Sequence, residues 1–390
     1  MDTPTHAAPA TKPAAADATA CLAVHRLGMA HPGDLSELAA LLDTGAVRAA
    51  DIAAVIGKTE GNGGVNDFTR GYFVQTLMAL LAQHTGRPPA TLLREVPCIL
   101  SGGTEGVLSP HYVVFVRSGR PMPASAGQGR AALAIGTAVG APVPAHDIGR
   151  WAHVAAVADA VRAAMRQAGI ERAQDVTFVQ VKSPCVTSAR AQAAAAAGHA
   201  VLTADANRSM ATARAAGAFG VAVALGELPD DAALASAMLG DFTRHCARAS
   251  VSSGVEIDAD EVIVLGHSPR WTGPLRMACV PMRDALDIGA VVQALDGLGL
   301  RAQPQLAASD AARLAAVFVK CEPDRRGRVR GTRHTMLDDT DINAQRHVRG
   351  AVGGLVAGVL GDTRIFVSGG AEHQGPDGGG LVAVIARVGD

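Results

Sequence analysis

Lysine is nearly absent from this chain: among 35 basic residues in a length of 390, only Lys12, Lys58, Lys182 and Lys320 are lysine. Basic excess is absent too. Acidic residues number 36, the net charge is −1, and no broad positive surface exists to neutralise phosphates or dock on anionic lipid, so no nucleic-acid or membrane partner is expected. Long hydrophobic runs are missing as well: VVFV at Val113 and VAVAL at Val221 end far short of the roughly 20 residues a bilayer helix needs. Cys21, Cys98, Cys185, Cys246, Cys279 and Cys321 stand singly, with no CxxC pair and no Cys/His spacing suited to zinc, which predicts reduced thiols in a cytoplasmic protein. Residues 1–19 lack the basic start and apolar stretch of a secretory signal and are expected to form a disordered tail. Hydrophobic residues at 48% supply a globular core.

What the chain does have is repetition. Three of its four lysines each end an apolar, strand-like run and meet a short polar turn: DIAAVIGKTE, DVTFVQVKSP and LAAVFVKCEP. After each lysine comes a stretch of helical character that begins with arginine: RGYFVQTLMALL from Arg70, RAAGAFGVAVALG from Arg214 and RGAVGGLVAGVLG from Arg349. Further on, each copy carries serine, a small residue, glycine, any residue and glutamate: SGGTE at Ser101, SSGVE at Ser252 and SGGAE at Ser368. The order Lys, Arg, Ser holds while connecting lengths vary, as loops on a repeated scaffold do. Each copy opens with a strand-like segment (CLAVHRLG, AALAIGTAV, LRMACVPM) ahead of a helical pattern, which predicts an α/β unit with helices covering a sheet. The expected organisation is repeat unit A at 20–124, unit B at 125–270 and unit C at 271–390, with PMPASAGQG and HSPRWTGP as linkers.

One lysine at a strand end is ordinarily solvated or salt-bridged, and one Ser-Gly-Gly is ordinarily a turn. Three lysines in register point to chemistry that arginine cannot perform. Glycines beside the serine also let backbone N–H groups approach a ligand and stabilise an oxyanion. The shared Glu105, Glu256 and Glu372 suit structural ion pairs as well as acid catalysis. His111, His334, His347 and His373 have no repeated counterparts, so a histidine triad lacks support. AEHQGPDGGG lacks the GK[ST] ending of a phosphate loop and reads better as carbonyls around a cation.

The motifs VIGKTEGNGGVNDFTRGY, LSGGTEGVLSPH, FVQVKSP, RGTRHTMLDDTDIN and VSGGAEHQGPDGGG closely resemble the cyanuric acid hydrolases, which with barbiturase form the ring-opening amidohydrolase family; the resemblance runs from about residue 21 to the end. It implies three pseudo-threefold-related α/β repeat units closed around a central barrel-like site, assembled as a homotetramer. It also implies three serine–lysine dyads, Ser101 with Lys58, Ser252 with Lys182 and Ser368 with Lys320. Arg70, Arg214 and Arg349 then bind substrate together with Gly102, Ser253 and Gly369 beside the serines, and Arg346 is a near rival of Arg349 on the same helical face. A structural divalent cation, Mg²⁺, is implied at Glu322, Ala371, Gln374, Gly375, Pro376 and Gly379, an oxygen-only set that suits a hard ion. No organic cofactor is expected.

The implied substrate is a flat ring with threefold symmetry, so three equivalent units can meet three equivalent edges. A serine hydroxyl needs a base, and a buried lysine whose pKa is lowered can be one. Attack on one carbonyl, collapse of the oxyanion and C–N cleavage yield carboxybiuret, which loses CO₂ to give biuret. Barbiturase activity and non-catalytic binding of planar heterocycles are the competing readings. Ser252 with Lys182 is the expected attacking pair: the middle copy departs from its siblings with Ser253 in place of glycine and with the longest Lys-to-Ser separation, and the family resemblance implies the same unit.

Overall fold

The structure, a computed structural model, describes residues 19–123 and 131–389. The expected tail falls almost entirely outside the described residues, and so does the junction expected at 124/125. Three comparable sheets organise the rest. The first holds β1 (Ala20–Gly28), β2 (Ile52–Thr59), β3 (Cys98–Gly102) and β4 (His111–Ser118) in the order β3-β2-β4-β1. The second holds β5 (Ala132–Pro142), β6 (Val176–Pro184), β7 (Ala249–Gly254) and β8 (Ala259–Ser268) in the order β5-β8-β6-β7. After the short β9 (Trp271–Thr272), which pairs with β1, the third sheet takes four strands from the remainder of the chain. These are β10 (Leu275–Met282), β11 (Leu314–Cys321), β14 (Phe366–Ser368) and β15 (Gly380–Arg387), ordered β10-β15-β11-β14, with a hairpin of β12 (Arg328–Val329) and β13 (Thr332–Arg333) inserted. Numbered within its own unit, every sheet has the same strand order, third-second-fourth-first.

In each unit the second and third strands are parallel, which requires a crossover, and a long helix supplies it. These are Thr69–Thr85, Ala206–Ala224 and Ala344–Leu360. The Asp205 side chain accepts from the Arg208 N–H and the Asn343 side chain from the Gln345 N–H, satisfying the exposed donors where the second and third of these helices begin. Both helices start before the arginine that the sequence pattern takes as their first residue.

Alternation along the strands decides which face meets which core. On β15, Leu381, Ala383 and Ile385 enter one cluster while Val382, Val384 and Ala386 enter another. On β4, Val113 and Phe115 share the first of these clusters, while Tyr112, Val114 and Val116 pack under the helices of the first unit. The shared cluster draws on all three sheets. Phe318 of the third sheet lies at its centre, with ring centroids 6.5 Å from Phe115, 5.4 Å from Phe178 and 5.9 Å from Phe366. Burying such aromatic surface contributes roughly 1.5–3 kcal/mol per side chain, so the junction of the units is a main source of stability.

Candidate active site

Strand register brings each lysine beside its serine. In the parallel pairs, Lys58 lies opposite Ser101, Lys182 opposite Ser252 and Lys320 opposite Ser368. The crossover helices deliver the arginines to the same end of the sheets. All three serines and Arg70, Arg214 and Arg349 line one cavity of ≈ 310 Å³, together with Gly102, Ser253 and Gly369. The lysines are fully buried behind it, at 0–1% exposure.

The three sets are alike in register and unlike in contact. Lys58 Nζ donates to Ser101 Oγ at 3.1 Å and to Gly102 O at 2.8 Å. Lys320 Nζ donates to Ser368 Oγ at 3.1 Å, Gly369 O at 3.0 Å and Gly370 O at 3.2 Å. Lys182 is turned elsewhere, donating to Leu100 O at 2.8 Å and forming a 2.7 Å ion pair with Glu256. Ser252 Oγ is buried with no hydrogen-bond partner, whereas Ser101 Oγ donates to Ser368 Oγ at 3.3 Å.

Each repeated glutamate holds the arginine of a different unit. Glu105 takes both Nε and Nη2 of Arg349, at 2.8 and 2.5 Å, and Glu372 takes those of Arg214, at 2.7 and 2.6 Å. Glu256 sits 3.2 Å from Arg70 Nε, an ion pair without hydrogen-bond alignment. The pairs run from unit A to B, B to C and C to A, so the ion-pair reading of the glutamates is right in kind, with the partner in trans. The repeated glycine of each Ser-x-Gly turn makes room for this. A Cβ on Gly370 would lie 2.5 Å from Arg214 Nε, and one on Gly254 would lie 2.1 Å from Glu256 Oε2.

The backbone of these turns is used differently from the sequence expectation. Gly103 N–H is taken by Thr59 O and Gly370 N–H by Gln345 Oε1, so in two units the second glycine's donor is committed within the protein. What the turns offer the lysines is carbonyl oxygen. Arg346 also reaches Glu105, at 3.3 Å, but its side chain is 48% exposed and it does not line the cavity; Arg349 does.

Burial drives all three ammonium groups toward neutrality. It pushes Lys58 well below its ordinary value with help from Arg349, and Lys320 to about 7 with help from Arg214. Burial also lowers Lys182, but Glu256 opposes it. Neutral amines beside serine hydroxyls are what base-assisted acyl transfer requires.

Several lining residues escape the sequence reading. Asn62, Asn207 and Asn343 enter the cavity, along with Gly63, Gly64 and Gln345. Their signal was present as an asparagine eight, seven and six residues before Arg70, Arg214 and Arg349. The expected cation site is also testable on its residues. Glu322 is buried, its carboxyl raised to about 7 by burial and the neighbouring Glu372, and it accepts from Arg325. The turn beside it carries the Ala371 and Pro376 carbonyls, closed by Gln374 and Gly379 N–H at 2.9 Å each, and Gly379 O accepts from Glu322 N at 3.2 Å. A buried carboxylate opposed by a second one, next to a turn of carbonyl oxygens, fits a hard cation. No cluster of three or more His, Cys, Asp or Glu side chains suited to a metal occurs among the described residues.

Fold and site together define a class, a three-unit α/β protein in which repeated serine, lysine and arginine converge on one small polar cavity. The family model for amidohydrolase ring-opening proteins matches residues 23–387. The chain belongs to that family. It is 48% identical over 363 residues to the cyanuric acid amidohydrolase of Azorhizobium caulinodans, covering 93% of this chain and 97% of that one. Two solved structures of cyanuric acid hydrolases superpose on it, with TM-scores of 0.88 and 0.86 and identities of 42% and 47%. Each match covers 95% of this chain and 100% of the other, and the second is again from A. caulinodans.

Proposed function

We propose that this chain hydrolyses cyanuric acid, opening the ring to carboxybiuret, which decarboxylates to biuret. Near full-length identity to cyanuric acid amidohydrolases supports the activity. The observation that carries the mechanism is the three in-register lysine–serine pairs around one cavity that also receives three arginines.

In this reading Arg70, Arg214 and Arg349 each donate to a ring carbonyl, oriented by Glu256, Glu372 and Glu105. Ser252 is the nucleophile and neutral Lys182 its base. The free Ser252 hydroxyl supports that role, and Lys182 must leave Glu256 to reach it, the position that Lys58 and Lys320 already occupy toward their serines. Attack gives a tetrahedral oxyanion held by arginine and by backbone groups at Ser253 and its counterparts, and C–N cleavage, with the Lys182 ammonium returning its proton to the departing ring nitrogen, leaves an acyl-enzyme that water hydrolyses. Ser101 and Ser368 hydrogen-bond the other ring edges, backed by Lys58 and Lys320.

Closure of the three sheets around a central barrel is the architecture we propose, supported by the shared core and the aromatic cluster at Phe318. A divalent cation, Mg²⁺, is assigned to Glu322 and the carbonyls of Ala371, Gln374, Gly375, Pro376 and Gly379; bound there it offsets buried carboxylate charge and fixes the turn that follows Ser368. A homotetramer is proposed on the family resemblance. A reducing, cytoplasmic setting is proposed on six unpaired cysteines. No helix among the described residues is long and apolar enough to cross a membrane.

The test is turnover by the purified protein of cyanuric acid and of barbituric acid, followed by biuret release and loss of ring absorbance. Preference for barbituric acid moves the assignment to barbiturase, and binding without turnover removes the enzyme reading.

A further inference from the structure

The units match at lysine, serine, arginine and glutamate, yet they differ at the residue facing each lysine across the antiparallel ladder. His111 lies opposite Lys58, Glu261 opposite Lys182 and Leu381 opposite Lys320. Directly opposed residues project from the same face of a sheet, so Glu261 shares the side of Lys182. Glu261 is buried, and its Oε2 accepts the backbone N–H of Cys98 at 2.9 Å. Cys98 belongs to β3 of the first unit, the strand whose Leu100 carbonyl also receives Lys182. Lys182 therefore has one carboxylate in contact, Glu256, and a second across the ladder.

Formal charge then separates the three sets. With its lysine neutral, the first set pairs Arg349 with Glu105 and the third pairs Arg214 with Glu372, Glu322 being matched by Arg325; Asp67 beside the first is taken up by the Gly63 and Thr69 N–H groups, and a cation bound at Glu322 adds positive charge to the third. Burial lowers His111 to about 4, so it adds no charge to the first. The middle set balances Arg70 against Glu256 and retains one carboxylate more, Glu261. A proton passed from serine to lysine makes a buried ammonium. In the outer units that ammonium stands uncompensated, and in the middle one it restores neutrality.

We infer that Glu261 is the positioning residue that selects the middle unit for reaction, its carboxylate balancing the ammonium formed when Lys182 takes the Ser252 proton. This rests on the proposed roles of Ser252 and Lys182. In the step concerned the Ser252 O–H bond breaks, an N–H bond forms on Lys182, and the serine oxygen bonds to the ring carbonyl carbon as the C=O π pair moves onto the carbonyl oxygen; nothing is oxidised or reduced. The groups facing Glu261 are Lys182 from β6, Glu256 from the turn after β7 with Arg70 behind it, and the Cys98 thiol from β3. Arg94 and Arg190 share a cleft of ≈ 460 Å³ with both carboxylates; Arg190 donates to the Cys185 and Ile257 carbonyls. Burial raises Glu261 to about 7 against the pull of the Cys98 N–H and Lys182, so its charge is developed above neutrality, where the base must also be neutral.

Glu261→Gln keeps an acceptor for Cys98 N–H and removes the charge. A neighbouring carboxylate favours the ammonium and raises the Lys182 pKa, so removing it lowers that pKa. The acid limb of kcat/KM therefore moves to lower pH in Glu261→Gln, with at least about a tenfold loss of plateau kcat, and Glu261→Asp restores the wild-type profile. A purely structural role moves neither limb. Because the chain has four lysines, ¹³C-lysine NMR resolves each amine in the wild-type protein. The Lys182 midpoint is expected to fall in Glu261→Gln and to hold in Glu261→Asp, with Glu256 intact in both, and Glu261→Ala gives the same comparison if the Gln variant does not fold. A superimposable pH profile, or a Lys182 midpoint unchanged by loss of the Glu261 charge, overturns the inference. An acyl adduct on Ser101 or Ser368 instead overturns the assignment beneath it, whereas an adduct on Ser252 with an unchanged Glu261→Gln profile removes the role of Glu261 alone.

Discussion

At the scale of single residues, three of the four lysines are buried beside a repeated serine, and arginine serves almost everywhere else. The guanidinium stays charged at any working pH, while an ammonium forced into a 0–1% exposed site is driven toward the neutral amine. Lys182→Arg is thus expected to fold normally and to lose turnover by at least about a hundredfold, the lower end of what general-base catalysis contributes; a tenth of wild-type kcat remaining would contradict a base at this position. Arg70→Ala, Arg214→Ala and Arg349→Ala are each expected to lower kcat/KM by at least about tenfold, the scale of a lost charged hydrogen bond, and Arg346→Ala much less. These residues were legible because repetition marks them: three lysines, three arginines and three serines recur in one order. The place of Glu261 opposite Lys182 was not legible, since the residue at that ladder position differs among the copies and leaves no repeated letter.

At the scale of elements, the unit works because its second and third strands are parallel neighbours. A one-residue slip in that pairing would put lysine and serine on opposite faces. Strand and helix character could be read from apolar runs and spacing, but the strand order could not, because the pairing of non-consecutive strands is set by tertiary packing. The turn after each serine needs glycine for close approach. Gly370 has a φ of +68° and an added Cβ would press on Arg214 Nε. Gly370→Ala is accordingly expected to cost about 1 kcal/mol or more in stability, measured by denaturant melting, and to raise KM by displacing Arg214. An unchanged KM with an unchanged midpoint would show that Arg214 is not held by this turn.

At the scale of the whole molecule, three units are joined by two devices of different character. One is the aromatic junction at Phe318, where rings from the three sheets meet. Phe318→Ala is expected to cost about 3–5 kcal/mol, read as a lower melting midpoint, because no single unit can close the void. The other is the circuit of arginine–glutamate pairs, which ties the cavity-lining arginine of each unit to the next and makes the cavity a property of the assembled chain. The threefold relation was visible in the motifs; the trans direction of those ion pairs was not, since sequence order does not say which unit lies beside which. Within this near-symmetric frame the account places the reaction at one unit. The direct measurement is peptide mass spectrometry of protein quenched during turnover of cyanuric acid or treated with an acylating analogue. An adduct on Ser252, with Ser101 and Ser368 unmodified, is the predicted result, and an adduct on Ser101 or Ser368 with Ser252 free would contradict the account.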